Sequence, residues 1–121
     1  MSKLLVIDDE PAILEMIEGH FSVRGFQVLT ATDGVEGLQI VESEKPDVVL
    51  LDLKMKKMDG DRFVQEVRER NISAKILVIT GYQDEALRNK VERLGVDVFL
   101  EKPVSILELQ RKIQELTEVA R

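Results

Sequence analysis

The chain has 121 residues, 44% apolar and 33% charged, with a formal net charge of −6 and no cysteine. That length and balance suit one globular domain with a buried core and disfavour a disordered segment. The negative charge argues against nucleic-acid binding by this domain, the lack of cysteine excludes disulfides and thiolate metal sites, and no apolar run approaches a membrane span.

Met1-Ser2-Lys3 leads directly into the apolar run Leu4-Leu5-Val6-Ile7, which reads as a strand. No room precedes it for a signal peptide, so a cytoplasmic location is expected. Asp8 and Asp9 follow the strand. Pro11 suits the first turn of a helix striped by Ile13, Leu14, Ile17 and Phe21, and Arg24-Gly25 ends it. The lone His20 near its end reads as a surface residue. A second strand runs from Phe26 to Thr30. Asp33, with Glu36 three residues on, then opens a helix in the manner of a capping box, and Pro46 marks its end.

Val48-Val49-Leu50-Leu51 is the third strand and delivers Asp52. The next helix follows Asp59-Gly60 and buries Phe63, Val64 and Val67. Ile76-Leu77-Val78-Ile79 is the fourth strand and delivers Thr80-Gly81. A fourth helix carries Leu87, Val91 and Leu94 and stops at Gly95. The fifth strand, Val98-Phe99-Leu100, delivers Glu101-Lys102-Pro103. Ser105 and Glu108 form a capping box for a last helix through Leu109, Ile113 and Leu116.

Five strand-helix alternations predict a single α/β domain over 1–121, with a parallel sheet covered by helices on both faces. Near-continuous Val, Ile and Leu in strands one, three and four fits burial on both sides. In such a sheet the carboxyl ends of the strands line one edge, where ligands bind. Asp8, Asp9, Asp52, Thr80 and Lys102 would converge there. Asp33, Asp47, Asp59 and Asp97 are accounted for as helix caps. Asp8-Asp9 facing Asp52 differs, because three carboxylates repel unless a cation sits among them. Oxygen donors with retained waters point to Mg²⁺ or Mn²⁺, and Lys102 offers positive charge to a phosphoryl oxygen. No glycine-rich nucleotide loop is present.

This combination, Asp8-Asp9, Asp52, Thr80 and Lys102-Pro103 after successive strands, resembles the receiver domain of two-component response regulators over the whole chain. The resemblance implies a (βα)5 doubly wound, five-stranded parallel sheet in the flavodoxin-like order 2-1-3-4-5. It implies a signalling module rather than a metabolic enzyme, one that catalyses only its own phosphorylation and dephosphorylation. Asp52 would accept a phosphoryl group from a sensor histidine kinase or phosphotransfer protein. Asp9, Asp52 and the Lys54 carbonyl would bind Mg²⁺, with Asp8 acting through water, and Lys102, placed by a cis bond to Pro103, would pair with a phosphoryl oxygen. Thr80 and Phe99 would act as the switch, changing the face made by the fourth helix, fifth strand and fifth helix. A downstream protein or output domain would read that face; none is expected within these 121 residues. A monomer or a phosphorylation-dependent dimer is expected, with no membrane association.

The chain departs from that pattern in places. Lys56 stands where proline is usual, and Lys54, Lys56 and Lys57 put three amines near the acidic site. Lys54 and Tyr82 lie two positions beyond Asp52 and Thr80, where long or aromatic side chains would shield an acyl phosphate from water and slow its loss. Val98 replaces an aspartate that many receivers with winged-helix partners use at a dimer face. Haloacid dehalogenase-like enzymes also use an aspartyl nucleophile, but they carry D-x-D after the first strand, whereas here the carboxylates are adjacent.

Overall fold

Five strands and five helices alternate along the residues that the computed structural model describes, 2–53, 60–81 and 85–118. The strands are β1 (Lys3–Ile7), β2 (Gln27–Ala31), β3 (Val48–Asp52), β4 (Lys75–Thr80) and β5 (Val98–Glu101). The helices are α1 (Pro11–Ser22), α2 (Gly34–Glu44), α3 (Gly60–Glu69), α4 (Glu85–Leu94) and α5 (Ile106–Glu118). All pairings are parallel, in the order β2-β1-β3-β4-β5.

The side-chain alternation of a strand explains why the apolar runs are unbroken. Leu5, Ile7, Val49, Leu51, Ile76 and Val78 point to one core, shared with Leu38 and Val41 of α2, Phe63, Val64 and Val67 of α3, and Val91 of α4. Leu4, Val6, Val48, Leu50 and Leu77 point to the other, shared with Leu14, Ile17 and Phe21 of α1 and Leu109 and Ile113 of α5. Strands β1, β3 and β4 are therefore apolar at consecutive positions, while the edge strands β2 and β5 are more exposed.

Local chemistry sets the helix ends. The Asp33 carboxylate accepts from the Glu36 amide at 2.9 Å, and Glu36 reaches back to the Thr32 amide at 3.0 Å. Ser105 Oγ accepts from the Glu108 amide at 3.0 Å. The second strand starts one residue later than its composition suggests. Phe26 bonds its amide to the Phe21 carbonyl and sets its ring edge-on to that of Phe21 at 5.4 Å, closing α1 instead of opening β2.

Asp47 and Asp97 are not helix caps. Each stands one residue before a strand and clamps the neighbouring one. Asp47 accepts from the Lys3 amide at 2.8 Å and donates its own amide to the Lys3 carbonyl at 2.9 Å. Asp97 does the same with Ile76, at 2.8 and 2.9 Å. Arg68 joins the second clamp, bonding Asp97 at 3.4 Å and the carbonyls of Ile72, Ala74 and Gly95. The capping expectation failed because an aspartate at a loop end accepts equally well from a helix or a strand amide.

Candidate functional site

The carboxyl edge of the sheet gathers side chains from four strands. Asp52 and Thr80 are the last residues of β3 and β4, and Asp8 and Lys102 follow β1 and β5 by one residue. The register pairs Asp52 with Ile79 and Thr80 with Glu101, and the Lys102 amide donates to the Thr80 carbonyl at 2.9 Å. From there Lys102 Nζ reaches Asp52 Oδ2 at 3.2 Å. The Lys102-Pro103 peptide bond is cis, as expected from the resemblance.

Two glycines keep this edge close. A Cβ on Gly81 would lie 3.3 Å from Lys102 Cδ, crowding the stem that carries the amine to Asp52. A Cβ on Gly60 would meet Leu53 Cα at 2.8 Å, so only glycine lets α3 start against the residue that follows Asp52.

Electrostatics mark the site as incomplete. Asp8 is 6% exposed, and its Oδ1 accepts from the Glu10 amide at 2.9 Å. Burial pushes the Asp8 carboxyl above the ordinary aspartate range; the Glu10 amide opposes this and the nearby charge of Asp52 adds to it. For Lys102, burial disfavours the ammonium form, yet the attraction and hydrogen bond of Asp52 outweigh it and raise the pKa. The amine stays charged and the Asp8 carboxylate is held at a cost.

A cation would relieve that cost. Carboxylate oxygens of Asp8, Asp9 and Glu10 lie within 4.8 Å of one another, the one such group among the described residues. An all-oxygen donor set fits a hard ion of the Mg²⁺ class. Strand-end placement grouped Asp8 and Asp9 with Asp52; the structure adds Glu10 to the first two and sets Lys102 on Asp52, whose charge still reaches Asp8. Lys54, Lys56, Lys57, Asp59 and Tyr82 lie outside the described residues.

Asp8, Asp52 and Lys102 also line a cleft of about 470 Å³, walled by Ile13 and Ile17 of α1 and by Ile106 and Leu109 of α5. A wider hollow of about 640 Å³ lies at the opposite edge, and none of these charged groups lines it. His20 is half-buried rather than free on the surface. Its Nε2 meets Gln110 Oε1 at 2.7 Å and ties α1 to α5.

Phe99 packs half-buried at the margin of the α2-α3-α4 core. Sequence reasoning missed its cover. The Arg88 guanidinium carbon sits 4.5 Å above the ring centroid. The same group bonds Glu92 at 3.2 Å and, across to β5, Glu101. An arginine thirteen residues before a strand-end glutamate gives no linear signal.

Comparisons with known proteins agree with this geometry. The family model of the response regulator receiver domain matches residues 4–114. The chain is 40% identical over 114 residues to a probable transcriptional regulator ycf27 of Cyanophora paradoxa, covering 94% of this chain and 47% of the relative. It is 32% identical over 114 residues to the alkaline phosphatase synthesis transcriptional regulatory protein PhoP of Bacillus subtilis, covering 94% and 48%. The chain thus spans about half the length of the curated relatives it matches. Among solved structures, the Francisella response regulator 1452 receiver domain superposes with a TM-score of 0.91 at 27% identity, covering 100% of both chains. With the sheet order, the strand-end charges and the family match in agreement, the chain belongs to the response regulator receiver domains of two-component systems.

Proposed function

We propose that the domain accepts a phosphoryl group on Asp52 from the phosphohistidine of a sensor histidine kinase or phosphotransfer protein. The observation that carries this reading is the 3.2 Å pair of Asp52 and Lys102 beside the buried, charge-strained Asp8. An Asp52 oxygen attacks phosphorus and the phosphorus–nitrogen bond breaks, its electron pair leaving on the imidazole. Lys102 passes from the free carboxylate to a phosphoryl oxygen, so its charge is matched before and after transfer. Asp9, Asp52 and the Lys54 carbonyl would hold Mg²⁺, with Asp8 acting through water and Glu10 alongside. When bound, the ion supplies the positive charge that offsets the nucleophile and the phosphoryl group.

The signal then follows from the new charge. Thr80 donates its hydroxyl hydrogen to a phosphoryl oxygen, Phe99 turns inward, and the face of α4, β5 and α5 changes its affinity for a partner. That partner is a downstream protein or an output domain; the greater length of the transcriptional regulators it resembles supports the latter. Hydrolysis at the same site ends the signal, with Lys54 and Tyr82 slowing the approach of water. No helix among the described residues is long and apolar enough to cross a membrane, which accords with a cytoplasmic role.

Incubation with Mg²⁺ and acetyl phosphate tests the assignment. Intact mass should rise by one phosphoryl group, and Asp52→Asn should abolish the gain. Labelling of the Asn variant at the wild-type level would overturn the reading.

A further inference from the structure

We propose that Arg88 is a positioning residue for the switch: clamped between Glu92 and Glu101, its guanidinium holds the Phe99 ring in its half-buried place at the margin of the core and sets how readily Asp52 takes a phosphoryl group. The inference rests on the reading of Phe99 as the side chain that moves on phosphorylation, and it names what restrains that movement.

Phenylalanine has no hydroxyl with which to anchor an outward position. The ring is instead covered by a planar cation at 4.5 Å, a distance at which arginine stacks on an aromatic face. The cation is itself fixed. Its Nε bonds Glu92 one helical turn along α4 at 3.2 Å, and its Nη1 bonds Glu101 on β5. The guanidinium therefore spans helix and strand directly above the ring. Glu101 is also the register partner of Thr80 and the residue before Lys102. The anchor of the clamp thus adjoins both side chains that read the phosphoryl group.

A cation–π contact at a half-exposed site biases an equilibrium by about two- to fivefold. If only the inward form binds the phosphoryl group tightly, apparent affinity scales with the inward fraction, and releasing the clamp raises both by the same factor.

The test is the affinity of the whole domain for beryllofluoride in Mg²⁺, followed through the Thr80 and Gly81 amide resonances. Arg88→Ala should tighten binding by about two- to fivefold. Glu101→Ala, which removes the β5 acceptor of the guanidinium and leaves the ring untouched, should move it the same way by less. With Phe99→Leu in place, adding Arg88→Ala should change nothing. Equal affinity in Arg88→Ala and wild type would overturn the clamp alone, as would the same tightening in the Phe99→Leu background. A lower melting temperature with unchanged affinity would make Arg88 merely structural and also overturn it. Wild-type protein that binds no beryllofluoride would overturn the reading of Asp52, and the clamp with it.

Discussion

At the amino edge of the sheet, Asp47 and Asp97 each exchange two hydrogen bonds with a residue of the neighbouring strand. At the carboxyl edge of the same strands, Asp8 is held against burial and against the nearby charge of Asp52, and Lys102 bonds the Asp52 carboxylate. The residue type and the strands are shared, yet the first pair is bonded to strand amides of a neighbour, whereas Asp8, despite its bond from the Glu10 amide, is buried beside a second carboxylate and has its pKa raised. A carboxylate bonded to strand amides stabilises the fold, whereas carboxylates set against each other favour a cation or a modification.

Removing one carboxylate from each edge should therefore move stability in opposite directions. The largest effect is expected for Asp97→Ala, which removes the carboxylate that the buried Ile76 amide bonds and the ion-pair partner of Arg68 Nη2. Urea denaturation should show a loss of about 1–3 kcal/mol. A loss within error would place Asp97 with the surface charges and erase the distinction between the edges.

Asp8→Asn should do the reverse, raising the melting temperature in metal-free buffer at pH 7 by a smaller amount. The sign follows from the raised pKa. A carboxyl that binds its proton more tightly when folded stabilises the fold fully below its ordinary value of 3.8, and that contribution is lost as pH rises through the folded value. The advantage of asparagine should thus be present at pH 7 and vanish in acid. Added Mg²⁺ should stabilise the wild type more than the variant. Thermal melts at several pH values, with and without Mg²⁺, check all three expectations.

The smallest effect separates a cap from a site within the carboxyl edge itself. Ser105→Ala removes an acceptor for the Glu108 amide and should lower stability by about 1 kcal/mol. Its Mg²⁺ dependence should match that of the wild type in the same melts. A changed metal response would draw Ser105 into the charged site and blur the comparison.

The legibility of this molecule in its sequence divides along the same line. Consecutive apolar residues in β1, β3 and β4 disclosed a doubly covered parallel sheet, because burial on both faces leaves no polar alternation. The strand-end aspartates and Lys102 were legible because a parallel sheet delivers all its carboxyl ends to one edge. Partners chosen across the tertiary structure were not legible. Asp47 and Asp97 find amides on strands 44 and 21 residues away, His20 finds Gln110, and Arg88 finds both a ring and a carboxylate on β5. Nothing in local spacing distinguishes those pairings from capping or exposure.

The two-sided core has a mechanical consequence for the phosphoacceptor. Val49 and Leu51 fit one core and Val48 and Leu50 the other, so β3 can seat against β1 and β4 in one register only. A slip of one residue would carry the Asp52 carboxylate about 3.3 Å along the sheet and turn it to the opposite face. It would also drive four apolar side chains into sockets shaped for their neighbours. The strand thus works as a keyed bolt: its greasy shank, buried on both faces, fixes the depth at which the reactive tip projects.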